Sequence, residues 1–502
     1  MDRKDIEEKI IILKDSANRK DIPLLLQLIK EYLENDRLAH DIGLIIEIAV
    51  IFECLNNFSE SKKYFLKALS INPKDEYAIK GLLKSLLYLQ EYEQMDSHIE
   101  YLLQNYIVHK QYILQLIKQI IEKMYQYEET DDKTNISRVI KLLEYMQKRL
   151  SDEKVKNILI NEIEIMQNKK ILNSKPRTLA LLVTSRCNIK CKMCSIPEQD
   201  WTFPSEKNSE ILKLMPYLEE IIWHGGEPLL YPHIYDLITE ASKYDIQQTI
   251  STNALLLDEV NIRKLLATNI ELNVSIHGLD KSTYESIHVN GNFDKLISKL
   301  LLIKKIMLES KSNIKYGLKF LVMKSNYKQM LNIYEFVKQY GFNHVHINIL
   351  DEFTIGDENI LYYSKDSNIL EDIITMSNKL RIDLSSINVF YEAWLPETNN
   401  KISKNDECND KKIKNEKVNK IKIGCYIPWK KIHIDMNGNV RNDCFCNNIV
   451  IGNINTDTIE NIWNAKTVVD VRNNIINSSF DKACSDGCKN GRVSAKYLKA
   501  IY

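Results

Sequence analysis

The sequence has no excess of either charge, since 68 Lys and Arg balance 68 Asp and Glu over 502 residues. That balance excludes a general electrostatic pull toward nucleic acid or an anionic membrane, so partners must be argued from local sites. A long apolar run is missing too. The most apolar early stretch, IGLIIEIAVIF, carries Glu47 and falls far short of the ~20 residues that cross a bilayer. The opening stretch MDRKDIEEKIIILKDS scatters acids and bases among its apolar residues and contains no signal-peptide core. A cytoplasmic location is therefore expected, with neither a membrane nor a nucleic acid as partner.

Glycine is nearly absent from the first third: between residues 5 and 170 it occurs at Gly43 and Gly81 alone. Apolar residues there recur at helical spacing, which predicts an all-α region over 1–172. Within 42–73, Ala49, Phe58, Phe65, Ala68 and Pro73 fall where a tetratricopeptide repeat places small, aromatic, aromatic, small and proline residues. Small residues let paired helices approach, aromatics fill the gap and proline ends the second helix. A shift of 34 residues sets Tyr92 opposite Phe58, but the small positions match poorly. One resembling repeat and a degenerate neighbour is one reading; a plain helical bundle is the other.

Composition is that of a folded chain, 44% hydrophobic and 27% charged, and the length suits about three domains. After Lys175 the texture changes to βα alternation. Short β-branched and leucine-rich runs at 178–184, 220–223, 248–252, 271–276, 315–322 and 344–349 alternate with helical patterns such as 234–244, 293–308 and 327–340. Six such units imply an α/β fold, a partial (βα)6 TIM-like barrel over 173–397. Residues 398–420 are almost wholly polar and read as a linker or surface insertion. The stretch 421–502, rich in Cys, Asn and Gly, reads as a small domain that needs a metal staple.

Cysteine stays reduced in the cytoplasm, so ten Cys there are better read as ligands than as disulfides. Cys54 sits in an apolar helical pattern and reads as core, while Cys408 lies in a polar stretch and is given no role. The sharpest motif is Thr184-Ser-Arg-Cys187-Asn-Ile-Lys-Cys191-Lys-Met-Cys194, directly after the first strand of the barrel region. Three thiolates at the C-terminal end of a barrel strand are one short of the four that close a zinc or ordinary 4Fe-4S site. A zinc loop is the competing use of such a triad. Further along come Trp223-His-Gly225-Gly226-Glu227-Pro228, Ser251-Thr-Asn253 and Ser275-Ile-His277-Gly278, each closing a strand.

Together these motifs resemble the radical S-adenosylmethionine (SAM) superfamily. The resemblance implies that Cys187, Cys191 and Cys194 hold a catalytic 4Fe-4S cluster whose fourth iron is chelated by the methionine part of SAM. It also implies that Gly225 and Gly226 approach the SAM amino group, that Glu227 shapes or neutralises that loop, and that Ser251, Asn253 and Ser275 face the carboxylate and ribose. Asn348, ending the sixth strand, would reach substrate or adenine. Met193 departs from the aromatic residue many members carry there. His277 stands where Asp is frequent and is read as a local hydrogen-bonding group, so no catalytic base is named.

The C-terminal motifs Gly424-Cys425-Tyr-Ile-Pro428-Trp429, Ile434-Asp-Met-Asn-Gly438-Asn-Val440, Cys444-Phe-Cys446, Ile462-Trp463-Asn464 and Cys484-x3-Cys488 resemble the SPASM auxiliary-cluster domain. Asn437-Gly438 is a hairpin turn between two short strands. Cys425, Cys444, Cys484 and Cys488 are the implied ligands of a second 4Fe-4S cluster, with Cys446 spare or in place of Cys444; a zinc ribbon would use the same four thiolates. The chemistry implied is reductive cleavage of SAM to a 5'-deoxyadenosyl radical that abstracts hydrogen, fed by an electron donor such as flavodoxin or ferredoxin. A peptide or protein substrate held by the helical region is the first expectation, a sugar or other small molecule the second, and a non-catalytic metal-bound scaffold the third.

Overall fold

The computed structural model describes residues 41–196, 199–349, 388–391, 425–443 and 449–477, with a few single residues and pairs between them. The chain divides into two compact units, one up to Met166 and the other from Gln167 onward.

The first unit is all helix among the described residues. It comprises α1 (Ile42–Cys54), α2 (Phe58–Ile71), α3 (Glu76–Tyr88), α4 (Asp96–Gln104), α5 (Tyr106–Glu129), α6 (Lys133–Gln147) and α7 (Glu153–Met166). Asp41, Asn57, Asp75 and Asp132 cap α1, α2, α3 and α6 by accepting a backbone N–H of the first turn. Ala49, Phe65 and Ala68 are buried in one continuous core with Leu82, Leu86, Ile120 and Leu143. Gly81 is needed here, because a Cβ on it would stand 2.0 Å from the ring of Phe65. Phe58, by contrast, stacks on Tyr88 with ring centroids 4.1 Å apart, and Cys54, expected in the core, is exposed at the last turn of α1.

The second unit is built on one sheet of ten strands, in the order β10-β9-β8-β1-β2-β3-β4-β5-β6-β7. These are β1 (Thr178–Thr184), β2 (Glu220–Gly225), β3 (Gln247–Thr252), β4 (Ile270–Ser275), β5 (Tyr316–Val322), β6 (His344–Ile349), β7 (Asn388–Tyr391), β8 (Lys431–Ile434), β9 (Asn439–Arg441) and β10 (Gly452–Asn453). From β8 to β7 all neighbours are parallel. Helices α8 (Ile234–Ser242), α9 (Glu259–Leu266), α10 (Phe293–Ser310) and α11 (Ile333–Tyr340) follow the strands as crossovers. Leu179 to Val183 of β1 are buried on both faces, as a parallel strand covered on two sides requires. This is the TIM-like α/β arrangement.

Two features extend the six expected strands. A seventh parallel strand, β7, follows β6. At the other edge, the hairpin β8–β9 turns at Asn437 and Gly438, both with positive φ, and β8 pairs in parallel with β1 so that Thr178 matches Lys431. The two-fold spacing of Ile432 and Ile434 suits a strand, but nothing local names β1 as its neighbour. No helix among the described residues is long and apolar enough to cross a membrane.

Candidate active site

The thiol loop leaves β1 at Thr184 and is closed by the returning segment 199–203. Thr184 Oγ1 donates to the Trp201 carbonyl at 2.9 Å, and Ser185 N–H donates to the same oxygen at 2.9 Å. A second tie is a two-residue antiparallel ladder, Lys190–Cys191 against His288–Val289. Between these ties Cys187, Cys191 and Cys194 face one cavity of about 640 Å3, within the range of cofactor pockets. Burial pushes the Cys191 thiol up to about 12, reinforced by Cys194 and Cys187, and also raises Cys187. Three mutually repelling thiolates need a cationic centre between them, which is the fit a cluster requires.

The Gly225-Gly226 turn is packed on the backbone of this loop. Gly225 has φ +146°, and a Cβ there would meet the Thr184 carbonyl at 2.3 Å; one on Gly226 would meet the Arg186 carbonyl at 2.3 Å. Instead Gly226 N–H donates to Thr184 O and Glu227 N–H to Arg186 O, each at 2.8 Å. The two glycines therefore serve the thiol loop as well as the cavity they line.

Glu227 acts on the loop from behind. It is fully buried behind the cavity wall, where its carboxylate accepts from Thr252 Oγ1 at 2.7 Å, Asn253 N–H at 2.8 Å and Leu229 N–H at 3.2 Å. Burial raises its pKa against the pull of these three bonds. It thus ties the end of β2 to the end of β3. Asn253, held in this way, donates to Asn188 Oδ1 at 2.8 Å and lies 3.9 Å from Cys187 Sγ. Ser251 accepts from Lys319 Nζ at 2.8 Å, and Ser251, Asn253 and Ser275 all line the cavity. Asn348, half-buried near the end of β6, is not among the described residues lining it.

Two contributors had no local signal. His288 lies 97 residues beyond Cys191, yet its Nδ1 is 3.1 Å from Cys191 Sγ while its Nε2 accepts the His277 N–H at 3.2 Å. Because Nε2 is the acceptor, the neutral ring carries its proton on Nδ1 and donates it to sulfur. The ring stacks between Tyr284 and His277, with centroids 4.4 and 5.0 Å away. His277 is buried and its Nδ1 accepts the Leu321 N–H at 3.1 Å, consistent with a local hydrogen-bonding role. Lys319 is the other, a cation on β5.

In the C-terminal segment Cys425 and Cys446 are half-buried, while Cys444, Cys484 and Cys488 lie outside the described residues. The segment grips the chain that leads into β1. Trp429 Nε1 donates to Lys169 O and Trp463 Nε1 to Ser174 O, both at 2.7 Å. Arg472, wholly buried, donates to Pro428 O at 2.9 Å, Lys170 O at 2.8 Å and Trp463 O at 3.0 Å.

Comparison with known proteins agrees with this geometry. Residues 181–336 match the radical SAM superfamily, and residues 425–490 match SPASM, an iron-sulfur cluster-binding domain. Among curated relatives, an AdoMet-dependent heme synthase of Methanosarcina barkeri is 24% identical over 197 residues, which is 37% of this chain and 54% of that protein. A probable GTP 3',8-cyclase of Sulfurisphaera tokodaii is 26% identical over 216 residues, 41% of this chain and 66% of that protein. The chain thus spans between half and two-thirds of the length of these relatives. Among solved structures, Streptococcus suis SuiB aligns with a TM-score of 0.48 and 16% identity, covering 69% of this chain and 78% of SuiB. A radical SAM domain takes a 4Fe-4S cluster and SAM, and a SPASM domain takes an auxiliary iron-sulfur cluster. The chain carries a radical SAM domain of TIM-like fold and a C-terminal SPASM iron-sulfur domain.

Proposed function

We propose that this protein is a radical SAM enzyme that modifies a peptide or protein, working in the cytoplasm with a flavodoxin- or ferredoxin-like electron donor. The observation that carries the radical SAM reading is the convergence of Cys187, Cys191 and Cys194 with Gly225, Gly226, Ser251, Asn253 and Ser275 on one cavity. When bound, the cluster and SAM supply a 5'-deoxyadenosyl radical able to take hydrogen from an unactivated carbon. The chain's own contribution is placement. Cys187, Cys191 and Cys194 ligate the cluster, the glycine turn closes on the loop backbone and lines the cavity that would take SAM, and Ser251, Asn253 and Ser275 present hydroxyl and amide groups to its polar parts. Cys425, Cys484 and Cys488, with Cys444 or Cys446, hold the auxiliary cluster.

A macromolecular substrate is supported by the helical unit. Tyr77, Ile107 and Val108 are 79%, 91% and 77% exposed. They stand at the starts of α3 and α5, which adjoin where His109 Nε2 comes within 3.7 Å of Glu76 Oε1. Exposed apolar side chains at adjoining helix ends suit capture of a peptide. A small-molecule substrate is the second reading, favoured by the heme synthase and the GTP cyclase among the relatives.

The test is anaerobic reconstitution with iron and sulfide, followed by SAM and a strong reductant. The expected result is 5'-deoxyadenosine by mass spectrometry from the native protein and none from Cys191→Ala. Absence of 5'-deoxyadenosine from fully loaded native protein would overturn the catalytic reading.

A further inference from the structure

At the opposite end of the sheet from the thiols, Glu271, His344 and His346 come together. Glu271 is the second residue of β4, and His344 and His346 are the first and third of β6, so both imidazoles leave the strand on one face. β5 runs between them and puts Gly317 at the point where Asn273 of β4 and His344 of β6 are its register partners. A Cβ on Gly317 would stand 2.1 Å from Asn273 Oδ1 and 2.2 Å from His344 Nε2. Its absence lets side chains of β4 and β6 meet across the intervening strand.

The donor atoms have the spacing of a coordination shell. Glu271 Oε1 lies 3.1 Å from His346 Nε2 and 3.4 Å from His344 Nε2, and all three donors fall within 4.8 Å of one another. Ligands bonded at about 2.0 to 2.2 Å to a tetrahedral ion stand about 3.3 Å apart. Glu271 and His344 are shielded from solvent, with side chains 12% and 4% exposed.

Hydrogen bonding fixes which nitrogen of His344 faces the cluster of donors. The Asn343 amide is oriented by its Nδ2, which donates to Ile314 O at 2.8 Å, and by its Oδ1, which accepts the Tyr316 N–H at 2.8 Å. His344 Nδ1, 3.0 Å from that same Oδ1, is therefore the protonated nitrogen. Asn273 is oriented as well, because its Nδ2 donates to Glu271 Oε1 at 2.8 Å, which turns its Oδ1 to within 2.9 Å of His344 Nε2. Nε2 thus meets two oxygen acceptors, an arrangement that calls for positive charge at that point. Lys315 Nζ, 3.6 Å from Glu271 Oε2 and mostly exposed, sits on the other carboxylate oxygen. A second ring nitrogen donating to an amide carbonyl is the usual buttress of a metal-bound histidine.

We propose that Glu271, His344 and His346 bind a divalent transition metal of the zinc class, with Asn273 Oδ1 or water completing the shell. The site shares no residue with either set of cysteines and chelates β4 to β6 across β5. Glu271 also lines a cavity of about 410 Å3 with Gln247, Gln248, Thr268, Asn269 and Lys315.

The experiment uses full-length protein loaded anaerobically with iron and sulfide, so that the cysteines are occupied, then equilibrated with Zn2+ and freed of excess ion. One zinc per chain is expected, with a zinc-edge X-ray absorption shell of nitrogen and oxygen and no sulfur. His346→Gln and Glu271→Gln are expected to bind zinc at least about tenfold more weakly at unchanged iron content. No zinc in the native protein, zinc with sulfur ligands, or unchanged affinity in both variants would overturn the proposal. Should a variant fail to fold, the absorption shell of the native protein still decides.

Discussion

The Nδ1 of His288 lies 3.1 Å from the Sγ of Cys191, while the opposite nitrogen of the ring accepts the backbone N–H of His277. A hydrogen bond to a cluster thiolate stabilises the reduced state, which carries more negative charge, and so raises the reduction potential. His288→Phe removes the donor, and its catalytic cluster is expected to titrate at a lower potential than the native one in EPR-monitored redox titration. His288→Gln, which keeps an N–H, is expected to fall between. Identical midpoints in all three proteins would show that the contact has no electronic role.

Glu227 is expected to matter through stability and through its proton. In Glu227→Ala the Thr252 hydroxyl and the amides of Leu229 and Asn253 lose their acceptor, which should cost about 3 kcal/mol in denaturant unfolding. The folded-state pKa of the native carboxyl is raised above 4.5. The folded protein therefore keeps a proton that the unfolded chain has released, and stability falls as pH climbs from the ordinary value through the raised one. Glu227→Gln, neutral throughout, should flatten that part of the curve when unfolding is measured across this window.

Gly226→Ala places a methyl group 2.3 Å from the Arg186 carbonyl and 2.6 Å from that of Ser185, both backbone atoms. Relief requires moving the thiol loop, at a cost of about 1 to 3 kcal/mol. The variant should keep native circular dichroism but take up far less iron on reconstitution, read by metal analysis.

Arg472 serves three backbone carbonyls from one guanidinium, and its Cζ lies 4.6 Å from the centre of the Trp463 ring. Arg472→Met leaves those carbonyls without their donor and should destabilise the C-terminal segment by about 3 kcal/mol or more. Arg472→Lys should not rescue it, since a single ammonium cannot reproduce the fork. Hydrogen exchange over 428–434 would rise in both variants; unchanged exchange would refute the clamp.

What could be read from the sequence was what lies close together in it. Leu179 to Val183 announces a buried strand, and the three cysteines follow within eleven residues, so strand and loop were visible together. His288 reaches the thiol cavity, and Lys319 reaches Ser251 of its wall, through tertiary packing, and no spacing rule joins Cys191 to a histidine 97 residues later. Glu227 was visible in its motif, but its fully buried place behind the wall depends on Thr252 and Asn253 of the next strand. The histidines of β6 looked like ordinary strand residues, because Gly317, which lets them meet Glu271, belongs to a different strand.

Because β8 docks on the flank of β1 opposite β2, the strand that carries the thiol loop depends on a neighbour about 250 residues further along the chain. During synthesis, at roughly 5 to 20 residues per second, that edge stays open for tens of seconds. A nascent chain stopped before Lys431 therefore presents an unpaired apolar strand edge, the kind that recruits chaperones or another chain.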